Sequence, residues 1–106
     1  MNDKEWLIEL KTCIIGSWDN KDYSFIFNSY AFELYDGAFT MHHKPTNTNF
    51  GANYGIKIRD GMAICAVRAG SVFPKVCCEL FISFKNSDSL HISNVEGFSS
   101  YLDRVA

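Results

Sequence analysis

A two-residue alternation between positions 76 and 92 constrains the fold more than any other feature of this sequence. One face of the segment carries, at every second position, Val76, Cys78, Leu80, Ile82 and Phe84. A polar turn at 85–89 follows, and then Leu-His-Ile at 90–92. Alternation of this kind is typical of a strand with one side packed on a core, so the segment predicts two antiparallel strands.

Shorter segments of the same kind occupy most of the chain. Residues Asp3 to Thr12 predict a short N-terminal helix, and the later segments are separated by turn signals about every 8–12 residues. The strongest hairpin signals are Asp36-Gly37 and Asp60-Gly61, and the longest polar loop is expected within 42–53. Nine Phe, five Tyr and two Trp also favour β-structure.

These patterns predict one domain over residues 1–106. No stretch of helical length separates the strands, which argues against parallel βαβ units. We therefore expect an all-β fold, an antiparallel up-and-down meander of eight or nine strands with the short helix at one end. Closure of such a meander leaves no unpaired edge strand, so a small barrel is predicted.

Charge and composition narrow the function. A net charge of -2 argues against nucleic acid as a partner, and no apolar run is long enough to cross a membrane. The first residues lack a secretory pattern, so we expect a cytoplasmic protein. The four cysteines, at 13, 65, 77 and 78, match no zinc spacing, and reduced thiols are favoured over disulfides. No cofactor is predicted.

Catalytic patterns are weak. His42 and His43 are adjacent, so on a strand they point to opposite faces and cannot share a metal. The sequence contains no phosphate-binding loop, nucleophile elbow or locally fixed pair of carboxylates. It therefore favours a protein without a catalytic site, and no metal site is expected.

The order of features resembles a known family. The predicted helix leads into Gly16-Ser17-Trp18, and the last strand ends in Arg104-Val105. This arrangement resembles the lipocalin-like small barrels of the calycin group. The resemblance implies that Trp18 closes one end of the barrel and that Arg104 packs over its ring by cation–π attraction, which makes Gly16, Trp18 and Arg104 a structural kernel. Avidin-like barrels also begin with Gly-x-Trp, but no set of polar residues here resembles a biotin site.

The resemblance implies a non-enzymatic binding protein that takes a small apolar ligand at the barrel mouth. The side chains predicted to contact it are Phe25, Phe39, Met41 and Tyr54. Because an eight-stranded barrel has room for either side chains or one small ligand, the same aromatic residues could instead fill the interior.

The alternative is a protein-interaction module of inhibitor, immunity or anti-defence type. It would act through the sheet surface or through the 42–53 loop. Four apolar residues are expected on the outer face, where they would form an interface for a homodimer or a protein partner. They are Cys65, Val67, Cys77 and Phe81. A contiguous outer patch of this kind indicates a partner surface or a site covered by the helix.

Overall fold

The structure is a computed structural model that describes residues 2–32, 35–69 and 75–105. The elements are α1 (Asp3–Cys13), β1 (Gly16–Asp19), β2 (Tyr23–Phe32), β3 (Tyr35–His43), β4 (Thr48–Arg59), β5 (Met62–Ala69), β6 (Lys75–Asn86), β7 (Ser89–Ser93) and β8 (Ser99–Arg104). Neighbours in sequence pair antiparallel, and β1 pairs with β8 to close a barrel. The all-β meander with a short N-terminal helix is confirmed, with eight strands in the described part of the chain.

Helix α1 covers one end of the barrel. The side chain of Asn2 accepts a hydrogen bond from the backbone N–H of Glu5 at 2.9 Å and caps the first turn. Leu10 and Ile14 are buried in the hydrophobic core, and Trp6 packs against it. A helix of this length is marginal alone, so its stability depends on this docking.

The two predicted hairpin signals have different outcomes. Asp60 and Gly61 join β4 to β5 with φ of 53° and 75°, the backbone that a two-residue hairpin needs. The prediction of a turn at Asp36-Gly37 is wrong, because both residues lie within β3. β2 extends to Phe32, and β3 begins at Tyr35.

Asp36 and Gly37 serve strand pairing rather than chain reversal. A Cβ at Gly37 would lie 1.8 Å from the carbonyl oxygen of Asn28, so only glycine permits the close approach of β2 and β3 here. The Asp36 carboxylate accepts the backbone N–H of Ile56 at 2.6 Å, next to the last described β3–β4 pair, and it also pairs with Lys11 of α1 at 3.1 Å.

The predicted 42–53 loop is mostly a β-hairpin. His42 and His43 end β3, Thr48 begins β4, and only residues 44–47 connect them. Polar and glycine residues in this segment suggested a loop, but their backbone groups pair across the hairpin from Gly37↔Tyr54 to His43↔Thr48.

The β1–β8 seam is short, and the side chains of Asn20 and Arg104 reinforce it. Its ladder has two residue pairs, Trp18↔Arg104 and Asp19↔Asp103. The guanidinium of Arg104 donates to the carbonyl oxygens of Ile15 and Cys13 at 2.9 and 2.6 Å, and its Nε donates to Ser87 at 2.9 Å. Arg104 therefore connects the end of α1, the β6–β7 turn and β8.

Trp18 lies beneath this guanidinium. The Cζ of Arg104 is 4.2 Å from the indole centroid, and the indole N–H donates to the carbonyl oxygen of Ile14 at 2.9 Å. Gly16 has a φ of 130°, and a Cβ there would lie 2.9 Å from the Arg104 Nη1. The three residues thus form one packed unit that closes the helix end, in an architecture compatible with a lipocalin-like fold.

Gly37→Ala is expected to lower the free energy of unfolding by about 1–3 kcal/mol or more, because the new methyl group overlaps the Asn28 carbonyl. Gly51→Ala in β4 is the matched control, since a Cβ there makes only ordinary contacts at 3.8 Å. Urea denaturation of both variants checks this. Equal stabilities would mean that β2 and β3 are farther apart at this point.

Arg104→Lys is expected to lower the free energy of unfolding by about 2–4 kcal/mol, because an ammonium group retains the charge but cannot reach all three carbonyls or stack flat on the indole. Arg59→Lys, at an exposed ion pair, should cost much less, because exposed ion pairs contribute little to stability. Thermal and urea unfolding compare the two. Similar losses would show that the Arg104 fork is not what holds the seam.

Candidate functional site

The barrel end opposite α1 contains an apolar cavity of about 270 Å³. The connections at 20–22, 44–47 and 94–98 lie at this end, since each joins the strand ends remote from the helix. The lining comes from inner-face residues of β2, β3, β4, β5 and β6 together with the β7–β8 connection, and half of it is aromatic: Tyr23, Phe25, Phe39, Phe50 and Phe98. Methionine, valine, leucine, cysteine and asparagine complete it at Met41, Val67, Leu80, Cys78 and Asn94.

Aromatic contacts set the shape of the cavity walls. Phe25 and Phe39 lie nearly parallel, with 21° between their planes and 6.3 Å between centroids. Tyr23 meets Phe98 edge to face at 5.3 Å, and Phe39 is tilted against Phe50 at 6.0 Å. Because these rings hold one another, the walls are largely formed before any ligand arrives.

A second aromatic layer closes the cavity floor. Phe27 stacks on Phe39 at 5.5 Å and meets Tyr54 edge to face at 5.3 Å, and both Phe27 and Tyr54 are buried. The interior below them is occupied by aliphatic residues and by Trp18. The cavity is therefore a cup at one end of a filled barrel.

Three of the four predicted ligand-contacting residues come together in this cup. Phe25, Phe39 and Met41 line it, whereas Tyr54 lies in the floor layer. Sequence reasoning missed Phe50 because the segment around it was assigned to a loop. The register Met41↔Phe50 places it on the inner face, where its side chain is 43% exposed at the rim.

Few polar groups face the cavity. The Asn94 side-chain oxygen accepts the backbone N–H groups of Glu96 and Phe98, both at 2.9 Å, and this orients the amide. At the rim, the His43 ring lies 4.8 Å from that of Tyr23, and its Nδ1 is 2.7 Å from the Thr46 hydroxyl. None of the described lining residues carries a charged side chain.

Two larger depressions, of about 510 and 390 Å³, flank α1 at the closed end. Both are lined in part by Trp6, Leu10 and Phe84. They lie between the helix and the strand ends, and the larger one includes the polar side chains of Glu9 and Thr12. The open-end cup is smaller but consists of inner-face apolar residues, so we consider it the better ligand site.

The predicted outer interface is corrected by the register of β5. Cys65 pairs with Ile56 and Val67 with Tyr54, and all of these belong to the inner core, so the expectation of an outward position for Cys65 and Val67 is wrong. Every residue from Met62 to Val67 is apolar, so alternation could not identify the inner face. Burial raises the pKa of the Cys65 thiol to about 12.

The other two interface residues have separate outcomes. Phe81 lies on the outer face, paired with Ile64 and Ser93, and is half-buried. The side chain of Cys77 lies outside the described part of the structure. The four residues therefore do not form the predicted patch.

A charged cluster covers the outer face of β5 instead. Glu79 on β6 pairs with Lys57 at 2.7 Å and with Arg59 at 2.9 Å, both on β4, so the ion pairs pass over β5. Ile64 beneath them has 0% exposure although it faces outward. The hydrogen bonds from Arg59 and Lys57 hold the pKa of Glu79 at about 2.

The histidines do not converge on a common centre. His42 Nδ1 is 2.6 Å from the Asn49 side chain, and the His91 ring stacks on Tyr101 at 4.2 Å. Among the described residues, no group of three or more His, Cys, Asp or Glu side chains could hold a metal ion. In the same part of the chain, no helix has the length and apolar character needed to cross a membrane.

No protein-family model, curated protein or solved structure matches this chain.

Glu79→Gln is expected to make the free energy of unfolding less dependent on pH between about 4.5 and 2. The pKa of Glu79 is lower in the folded state, so its stabilising effect is present above pH 4.5 and is lost as the pH falls through about 2. Urea denaturation across this range measures the effect. Glu96→Gln, in an exposed turn, is the control. If the free energy of unfolding depended on pH in the same way for both variants below pH 4.5, the prediction would be contradicted.

Proposed function

We propose that this protein is a lipocalin-like binding protein that holds a small apolar ligand in the open-end cup. The observation that carries the proposal is the asymmetry of the barrel: α1 and the Arg104–Trp18 unit close one end, and a cavity of about 270 Å³ with apolar walls occupies the other. Small-molecule sites are typically concave and mostly apolar, with a few placed polar groups.

The charge and rigidity of the cup support binding rather than catalysis. Its walls are packed aromatic rings, and the titratable groups most shifted in pKa, Cys65 and Glu79, lie in the core and on the outer face rather than in the cup. Active sites usually bring groups of perturbed pKa together in one cleft. The described cup instead offers apolar area, one oriented amide, the Cys78 thiol and the Tyr23 hydroxyl.

The interaction-module alternative has lost its main structural support. Its sheet surface required Cys65 and Val67 outside the barrel, and both lie inside. Its loop is a paired hairpin, and the exposed aromatic residue in that hairpin, Phe50, lines the cup. We therefore do not propose a dimer, and dimerisation is one of the outcomes that the tests below distinguish.

The neutral fluorescent probe N-phenyl-1-naphthylamine should bind to the protein with enhanced emission. Phe50→Asp places a carboxylate at the rim of the cup and should weaken binding at least tenfold, because the charge would have to lose water when the probe enters. Ile8→Asp changes another exposed apolar residue, beside the larger depression at α1, and should leave the affinity unchanged.

If Ile8→Asp weakened probe binding and Phe50→Asp did not, the site would lie at the helix end and the proposal would be refuted. Native mass spectrometry of protein taken directly from the expression host is the independent measurement. A small extra mass on a monomer supports binding in the cup. A dimer without adduct, together with no probe emission, would reject the proposal and favour the interaction module.

A further inference from the structure

We infer that the cup takes a compact, neutral aromatic molecule that carries one hydrogen-bond acceptor, rather than a long aliphatic chain. This inference rests on the proposed function and adds the chemical class of the ligand. It follows from the depth of the cup, the nature of its walls and the single oriented donor at its edge.

The depth of the cup excludes a long chain. On β2 the cup is lined by Tyr23 and Phe25, and on β6 by Cys78 and Leu80, which are two successive inward positions on each strand. Residues on the same face of a strand are about 7 Å apart, so the cup extends little more than that distance into the barrel. The next inward residue of β2, Phe27, belongs to the floor, and an extended acyl chain would leave most of its length in water.

The walls favour a ring. Aromatic faces and edges attract one another beyond the burial of area, and the cup presents both: the near-parallel Phe25 and Phe39, and the edge-to-face pair of Tyr23 and Phe98. A flat ligand can stack on one pair and meet the edge of another. A saturated ring of the same size would gain only the burial of area.

The charge of the cup requires a neutral ligand. The described lining residues have no charged side chain that could compensate a buried carboxylate or ammonium group. An unpaired charge moved into an apolar site loses its hydration without compensation, so charged ligands are disfavoured.

Asn94 supplies the polar selectivity. Its oxygen is held by the backbone N–H groups of Glu96 and Phe98, so the Nδ2 is the part of the amide left to bind a ligand, as a donor. Among the described residues, no protein atom accepts a hydrogen bond from this Nδ2. A carbonyl or ether oxygen on the ring would satisfy it.

The test uses acetophenone, cyclohexyl methyl ketone and 2-tridecanone. All three carry one carbonyl acceptor, and they differ in having an aromatic ring, a saturated ring or a long chain. Labelling the three methionine methyl groups with ¹³C places a reporter at each end of the barrel. Met41 lines the cup and Met62 lies beside a depression at the helix end.

Acetophenone should shift the Met41 signal and leave Met62 unchanged, with a Kd about tenfold lower than that of cyclohexyl methyl ketone. The long-chain ketone should bind no more tightly than acetophenone. Equal affinity of the two rings, or tighter binding of 2-tridecanone at Met41, would overturn the aromatic inference while leaving the proposed function standing. No shift of Met41 with any of the three ketones, together with no naphthylamine emission, would reject both.

Asn94→Asp tests the donor. The new carboxylate retains the oxygen that accepts the two turn N–H groups but lacks the Nδ2 donor. Because its charge weakens the binding of any apolar ligand, the donor is measured against ethylbenzene, which has no acceptor: the affinity for acetophenone should fall about fivefold more than the affinity for ethylbenzene. Asn86→Asp is the matched control, because Asn86 accepts a turn N–H from Asp88 in the same way at the other end of the barrel. If both variants bind acetophenone as tightly as the parent protein, Asn94 has no part in recognition.

Discussion

The packing of Arg104 over Trp18 is the interaction on which the rest of the barrel depends. A single guanidinium binds three backbone carbonyls, two at the end of α1 and one in the β6–β7 turn, and covers the indole ring at 4.2 Å. The seam it reinforces has only two ladder pairs, so backbone pairing alone would close the barrel weakly. The planar five-donor geometry of arginine suits this task in a way that a lysine ammonium does not. Gly16 completes the arrangement by leaving the space that the guanidinium needs.

Closure at one end makes the other end available for binding. The helix, Trp18 and the aliphatic core fill the barrel up to the layer of Phe27 and Tyr54, and nothing among the described residues fills the cup above Phe25 and Phe39. The cup is held in shape by ring contacts within its own walls. The volume and apolar character of the cup therefore depend on two features of the sequence. One is which inward positions are aromatic, and the other is how far the core extends along the barrel.

The sequence predicted the fold class, the helix and most strands, because alternation and turn chemistry act locally. It failed where a residue's role depends on a neighbouring strand. Gly37 suggested a turn but is required by the approach of Asn28, and Cys65 faces inward because of its pairing with Ile56. For the candidate site, Phe25, Phe39 and Met41 were predicted from the sequence and line the cup, whereas Phe50 could be placed there only from its register with Met41.

The Arg104 contacts also determine when the barrel can form. They join residues separated by 89 and 91 positions, and the adjacent ladder pairs Trp18 with Arg104. Hairpins such as β4–β5 can form early from local contacts, but the seam must wait until residue 104 has been synthesised and has returned to the helix. Closure over so long a loop is slow, because its entropy is lost before the contacts form. Until then β1 and β8 are unpaired edges, so a chain delayed at this step is exposed to edge-to-edge association.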